Sequence, residues 1–211
     1  MTVRLLTLLC LFISLHAAYA EDDPQALSEQ SREIIKTFAS RLQNELQQAM
    51  AEGGPVNAID VCKVRAPQIA AELSTDGWLV RRTSLKVRNP LNAADDFERK
   101  ILKDFEEKKA NGWAVEKLAY YKMKEHGETS EFRYMKAIPT QSLCLTCHGE
   151  NIPADVLKKI NTAYPDDEAR GYQEGDIRGA FSLRKRFHTA PADDTNQQVN
   201  NIFDHATASR P

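Results

Sequence analysis

The chain has 211 residues, and its 28 basic and 30 acidic side chains give a formal net charge of −2 at pH 7. This balance leaves no strongly basic face, so we expect no nucleic-acid partner. The length suits one ordinary domain, and beyond the N-terminus no apolar stretch is long enough to indicate a membrane span.

Residues 1–20 have the pattern of a secretory signal peptide. Arg4 supplies a positive charge, residues 5–15 form an apolar run that includes Cys10, and Ala18-Tyr19-Ala20 resembles a cleavage site. The run is shorter than the roughly 20 apolar residues of a membrane span, although an uncleaved anchor remains the alternative. We predict cleavage after Ala20 and a periplasmic protein.

The first half of the exported chain is predicted to be helical. Apolar residues recur at helical spacing from Pro24 to Met50, and Gly53-Gly54 ends that segment. A second helix is predicted from Pro55 to Ser74, because proline suits a first helical turn. Pro67 interrupts this second pattern and predicts a kink or restart near Arg65.

Shorter elements follow, and two β-rich segments flank Gly127, which can adopt the positive φ of a hairpin turn. The predicted elements are strands at 78–84, 118–123, 132–138 and 179–187, helices at 95–109 and 153–164, and a loop at 144–148. This order predicts an α+β fold with helices packed on a small antiparallel sheet. We expect one domain at 21–188 and a polar, flexible tail at 189–211.

Cys144-Leu145-Thr146-Cys147-His148 is a C-x-x-C-H sequence, the attachment signature of a c-type haem. Two thiols at this spacing can each add to a vinyl group of one porphyrin, and the next histidine can bind the iron. A disulfide loop or a thioredoxin-like redox pair is an alternative, whereas a zinc site would need a second ligand pair that the sequence lacks. We predict one covalent haem c on Cys144 and Cys147, with His148 as proximal iron ligand.

Cys62 is the third cysteine that remains after removal of residues 1–20. An unpaired thiol is unusual in an oxidising compartment. Cys62 lies on the apolar side of the predicted second helix, where it is either a small buried hydrophobic residue or a second iron ligand. Other candidate iron ligands are His126, His188, His205, Met50, Met123 and Met135.

Four ordered parts of the chain together resemble a known family. They read AIDVC with APQIA, RRTSLKVRNP, CLTCHG and GYQEGDIRGAFS, beginning at Ala58, Arg81, Cys144 and Gly171. This set resembles the c-type-haem, PAS-like family catalogued as a domain of unknown function. Members of that family occur as stand-alone exported proteins and as sensing regions of signalling proteins. The likeness covers nearly the whole exported chain up to Phe187.

The resemblance implies a PAS-like fold in which the haem lies between the antiparallel sheet and the N-terminal helices. It also implies an unusual axial pair, carried over by position to His148 and the thiolate of Cys62. The roles proposed for the family are redox sensing and gas sensing.

Further residues are candidates for contacts with the haem. Arg82 and Arg65 are predicted to meet a haem propionate or the thiolate, with a solvated surface position as the alternative. Tyr120, Tyr121 and Phe132 are candidates for lining the haem, although aromatic residues in strands more often belong to the core.

If both axial positions are filled, we expect a six-coordinate, low-spin iron of low potential and no enzymatic activity. One role is a redox or gas sensor, in which Cys62 leaves on reduction and NO or CO can bind. The alternative is a low-potential periplasmic electron-transfer cytochrome. Either role needs a redox or signalling partner. A peroxidase-like enzyme would need an open iron site with distal acid–base residues, and the sequence shows no such set.

Overall fold

The computed structural model describes residues 23–188, apart from the side chain of His126. The predicted signal peptide at 1–20 and the predicted tail at 189–211, which contains His205, lie outside these residues. Within the described part, no helix is both long enough and apolar enough to cross a membrane.

Helix α1 spans Pro24–Asp60 and is interrupted at the predicted glycine pair. Its N-terminus is capped by Asp23, whose carboxylate accepts a hydrogen bond of 3.0 Å from the Ala26 N–H. Gly53 and Gly54 have non-helical backbone angles, and φ at Gly54 is 67°. The predicted break between two helical segments is therefore confirmed.

A π-helix, Val61–Arg65, follows α1 and leads into α2, Ala66–Glu72. The wider turn is closed by the Ala66 N–H, which donates to the Val61 carbonyl. Pro67 explains the wide turn, because proline has no N–H for the Lys63 carbonyl and its ring crowds that oxygen. The predicted irregularity before Pro67 is confirmed, and isolated π turns of this kind are frequent at functional sites.

Four strands form one antiparallel sheet in the order β1-β4-β3-β2. They are β1 Trp78–Thr83, β2 Ala119–His126, β3 Thr129–Pro139 and β4 Ile177–His188. Strands β2 and β3 form the predicted hairpin around Gly127, where φ is 60°. The predicted α+β class is confirmed.

Helices cover both faces of this sheet. On one side, here called the α1 face, Val80 packs in a core with Phe38 of α1. On the other side, the α3 face, helix α3 (Asp96–Ala110) buries Phe105 against Ala180 and its neighbours. The sheet is therefore a central layer, and its two faces have different coverings.

Two short helices connect β3 to β4, namely α4 (Ser142–His148) and α5 (Ala154–Ala163). Helix α5 agrees with the predicted helix at 153–164, but the loop predicted at 144–148 is wrong because this segment is helical. Seven residues are too few for a stable isolated helix. Contacts at its C-terminal end stabilise it, since the Tyr172 N–H donates to the His148 carbonyl at 3.0 Å.

Candidate functional site

A large cavity lies between α1, α4 and the α1 face of the sheet. The space enclosed by its lining residues, with the solvent at its open mouth included, is about 1190 Å³. The wall that α1 forms is apolar and consists of Leu42, Leu46, Met50, Ala58 and Ile59. A cavity with such a wall suits a mostly apolar molecule.

Helix α4 presents three predicted site residues to the cavity. Cys144, Cys147 and His148 all line it, because positions three and four apart share one side of a helix. Both cysteines are free thiols of intermediate exposure. Burial, with a smaller contribution from nearby Cys62, raises the pKa of Cys147 to about 11. The structure therefore brings the C-x-x-C-H residues together at one wall.

His148 is held with one ring nitrogen against the backbone. Its Nδ1 lies 2.8 Å from the Ala169 carbonyl oxygen, and since a carbonyl only accepts, Nδ1 carries the hydrogen. Burial and the charges of Arg178 and Arg88 lower the pKa of His148 well below its ordinary value. The ring is therefore neutral with the lone pair on Nε2, the state in which histidine binds a metal.

A buried ion pair holds the segment that carries His148. The Arg88 guanidinium donates to both carboxylate oxygens of Asp167, at 2.9 and 3.1 Å, and these side chains are 7% and 0% exposed. Arg88 also donates to the carbonyls of Cys147 (2.7 Å) and Ala169 (3.2 Å). Its Nη1 is 3.5 Å from His148 Nε2, too long for a strong hydrogen bond. The pair therefore fixes α4 and leaves Nε2 weakly engaged.

Cys62 reaches the same cavity from the π-helix. It is a free thiol of intermediate exposure and lines the cavity together with the residues of α4. Tyr164, at the end of α5, also lines it, and burial together with the proximity of Cys62 raises the pKa of its hydroxyl to about 12. Residues far apart in the sequence thus bring three thiols and one imidazole to one cavity.

Two arginines of the sheet also line the cavity. Arg82, predicted from the sequence, lines the cavity, whereas Arg178 lines it without having been predicted. In the β3–β4 pairing Ile138 faces Gly179 and Pro139 faces Ile177, so Arg178 is an extra residue in β4. A bulge of this kind can redirect a side chain.

The direction of Arg178 depends on this irregularity. Ile177 and Ala180 both pack on the α3 face, although simple alternation would put Arg178, not Ile177, on the same face as Ala180. The sequence signal was Gly179, whose φ is 155° and where a Cβ would lie 2.2 Å from the Thr83 carbonyl. A glycine within a strand often indicates a bulge or a close backbone approach.

Arg65 does not line the cavity. Its guanidinium donates to both carboxylate oxygens of Glu45, at 2.6 and 2.7 Å, and also to Gln68. The structure thus gives Arg65 a partner on α1, and a thiolate or propionate contact for it gains no support from this geometry.

The aromatic residues predicted to line the haem lie elsewhere, which corrects that expectation. Phe132 is fully buried in the core of the α1 face, and Tyr121 is 52% exposed. Tyr120 packs against Phe97 of α3, with ring centroids 6.0 Å apart. Their positions follow from the pairing of β2 with β3, away from the end of the sheet where α4 lies.

Among the alternative iron ligands in the described residues, Met50 alone lines the cavity. Met135 is fully buried beneath α3, and Met123 packs at the edge of the core on the α1 face. His188 is exposed at the end of β4. The side chain of His126 and the whole of His205 lie outside the described part of the chain. Met50 is therefore the main competitor of Cys62.

The fold and this constellation can be compared with known proteins. The Tll0287-like family model matches residues 18–185. The chain belongs to the Tll0287-like family. The crystal structure of the cyanobacterial haem protein Tll0287 is similar, with a TM-score of 0.54 and 26% sequence identity over 76% of this chain and 94% of that chain. Comparison with curated proteins gives no match.

Proposed function

We propose that this Tll0287-like protein is an exported c-type haem protein of PAS-like fold that senses redox state or a gas such as NO or CO. Cys144 and Cys147 form the thioether bonds, and His148 and Cys62 bind the iron. The observation that carries this proposal is the meeting of all four side chains at one cavity. The similarity to a structure described as a haem protein supports it.

The residues of the cavity fit a haem. The wall formed by α1 is apolar, α4 supplies two free thiols at the required spacing, and His148 presents the lone pair of Nε2. Cys62 adds a thiol from a different element. Within residues 23–188 no group of three or more His, Cys, Asp or Glu side chains is arranged to hold a metal ion by itself.

A bound haem supplies one-electron chemistry, and a thiolate ligand stabilises its ferric state and lowers its potential. The protein residues orient the haem ligands and exclude water. Arg88 and Asp167 orient α4, Ala169 fixes the His148 tautomer, and the apolar residues of α1 exclude water. We propose no enzymatic activity for the chain, because His148 and Cys62 would together hold the iron and leave it no open site.

The sensing role rests on the position of Cys62 in the π-helix. The π-helix joins the long α1 to α2, so this turn would be freed if Cys62 held the iron and let it go on reduction. A change at Cys62 can therefore alter the position of α1 relative to the sheet, and a signalling partner can detect that change. A π turn is a local irregularity that can relax without unfolding the helix.

Low-potential electron transfer to a redox partner is the second candidate. It is favoured by the rigid hold on His148, which combines the Ala169 carbonyl with the buried Arg88–Asp167 pair. Rigid ligands keep the structural change between oxidation states small. The two candidates differ in whether Cys62 stays bound on reduction.

Absorption and EPR spectra of the matured protein distinguish these possibilities. We expect a ferric low-spin thiolate signal in the native protein, its loss in Cys62→Ser, and its retention in Val64→Ser. Val64 is a matched control because it lies in the same π-helix but is 49% exposed. Loss of the thiolate on reduction favours sensing, and retention favours electron transfer. Identical spectra for native protein and Cys62→Ser would exclude Cys62 as a ligand.

His148→Ala tests the proximal ligand separately. The two thiols remain, so we expect covalently attached haem with an altered spin state and altered spectra. Unchanged spectra of the attached haem would contradict the assignment of His148.

A further inference from the structure

Two arginines of the cavity wall lack an anionic partner among residues 23–188. The side chain of Arg82 makes no hydrogen bond or ion pair within residues 23–188, and its Cζ is 5.7 Å from the Phe38 ring centroid. Arg178 donates only to neutral oxygens, the Ser84 hydroxyl at 3.0 Å and the Lys86 carbonyl at 3.3 Å. Arginine keeps its proton in proteins, so both side chains are cations.

The surroundings of these cations are unfavourable for an isolated charge. Burial lowers the pKa of both Arg82 and Arg178, and buried charges are normally paired. The other arginine of the cavity wall is paired in this way, since Arg88 binds Asp167. Asp167 thus neutralises Arg88, whereas Arg82 and Arg178 line the cavity as cations available to a ligand.

Arg82 and Arg178 together form a pair of charged donors in the cavity wall that matches an anion.

The chemical class of that anion follows from the rest of the cavity. We infer that Arg82 and Arg178 bind the propionate carboxylates of the porphyrin, an inference that rests on the proposed function. A porphyrin is apolar over most of its surface and carries both carboxylates on one edge. Guanidinium groups bind carboxylates through charge-assisted, often bidentate hydrogen bonds. The bulge in β4 has the role of directing Arg178 to this edge.

The first test uses matured holoprotein and the resonance Raman bands that report propionate bending. We expect shifted bands in Arg82→Gln and in Arg178→Gln. Arg186→Gln is the matched control. Arg186 lies on β4, as Arg178 does, but its side chain is 67% exposed and pairs with Glu131. The lysine variants Arg82→Lys and Arg178→Lys keep the charge and should retain bands closer to those of the native protein.

A second test measures the contribution to binding. In the full chain carrying Cys144→Ala and Cys147→Ala, haem is held without thioether bonds, and its dissociation can be compared with that of haem dimethyl ester. We expect the ester to dissociate about 10- to 100-fold faster, as removal of charged hydrogen bonds predicts. Adding Arg82→Gln and Arg178→Gln should speed dissociation of haem itself and abolish most of the difference.

The outcomes separate the inference from the proposed function. A native chain that attaches no haem overturns the proposed function. Attached haem with propionate bands unchanged in both glutamine variants overturns the inference alone. Bands that shift in only one variant overturn the paired assignment and restrict the site to that arginine.

Discussion

Adjacent arginines of β1 lie on opposite faces of the sheet and have opposite surroundings. Arg81, on the α3 face, donates to the carbonyls of Leu91 and Ala93 at 3.0 and 2.8 Å and lies 3.8 Å from the Glu98 carboxylate. Arg82, on the α1 face, lines the cavity without an anionic partner among residues 23–188.

The difference shows that one sheet can carry arginines paired within the protein on one face and arginines free to bind a ligand on the other. Glu98 is 1% exposed and has Arg133 at 3.6 Å in addition to Arg81, so the α3 face balances its charges internally. The cavity on the α1 face balances only Arg88. An arginine that the fold leaves unpaired in a cavity is therefore a better indication of a ligand site than an arginine-rich sequence.

The largest expected effect comes from removing the partner of Arg88. Asp167→Ala leaves a third unpaired arginine at the cavity, and breaking a buried ion pair costs about 3–5 kcal/mol. We expect the free energy of unfolding to fall by that amount in urea denaturation. Asp104→Ala is the control, because Asp104 pairs with Lys108 at a 40% exposed position and such a pair contributes about 0.5 kcal/mol. Equal losses of unfolding free energy in Asp167→Ala and Asp104→Ala would show that the buried ion pair contributes no more than the exposed one.

A somewhat smaller effect is expected at the bulge that directs Arg178. In Gly179→Ala the new methyl would lie 2.2 Å from the Thr83 carbonyl. Overpacking and an unfavourable φ together should lower the free energy of unfolding by about 2–4 kcal/mol. Gly112→Ala has a positive φ of 86° but nothing within 4 Å, so it should lose only about 1–2 kcal/mol.

The propionate bands of Gly179→Ala add a second measurement. They should shift as they do in Arg178→Gln, because the displaced bulge redirects Arg178. Unaltered bands in a destabilised Gly179→Ala protein would show that the bulge stabilises the sheet without positioning Arg178.

The acid stability of the protein should depend on Asp167. Burial alone would raise the pKa of this carboxyl, but hydrogen bonds from Arg88 and Arg170 outweigh burial and lower the pKa from 3.8 to about 2. A depressed carboxyl pKa stabilises the fold above the unfolded value, and this stability is lost as the pH falls from about 4 to about 2. The contribution is on the order of 2 kcal/mol.

The measurement is the free energy of unfolding of native protein and Asp167→Asn as a function of pH. The gap between them should narrow between about pH 4 and pH 2. A gap that stays constant over this interval would show that Asp167 is not held ionised by Arg88 and Arg170.

The smallest effects come from the two neighbouring arginines themselves. Arg81→Gln should lower the free energy of unfolding by about 1 kcal/mol, since it weakens hydrogen bonds across the α3 face, and should leave the visible spectrum unchanged. Arg82→Gln should leave stability nearly unchanged but lower the reduction potential, because a positive charge near the haem favours the reduced iron. We expect a shift of less than about 60 mV, a tenfold change for one electron. A loss of stability in Arg82→Gln together with a changed reduction potential in Arg81→Gln would contradict the assignment of Arg81 to the fold and of Arg82 to the ligand.

The elements were predictable from local patterns, because each has a local cause. Pro67 produces the irregular turn, Gly53 and Gly54 break α1, and Gly127 allows the hairpin. Cys62 and the C-x-x-C-H residues line one cavity, and the iron ligation that the family resemblance implies for Cys62 and His148 stays a prediction.

What could not be predicted depends on contacts between distant residues. Arg88 meets Asp167 and Arg65 meets Glu45, and no local pattern distinguishes these paired arginines from the unpaired Arg82. Arg178 required knowledge of the strand register, because a single extra residue reverses the face on which a side chain lies. The helical state of α4 likewise depends on hydrogen bonds to a later loop.

The intact mass of the exported, matured protein tests the central claim most directly. The account predicts one covalently added haem per chain in the native protein, retained in Cys62→Ser and in the surface control Arg186→Gln, and lost or much reduced in Cys147→Ser. A native chain matured alongside an established c-type cytochrome that nevertheless carries no added haem would contradict it.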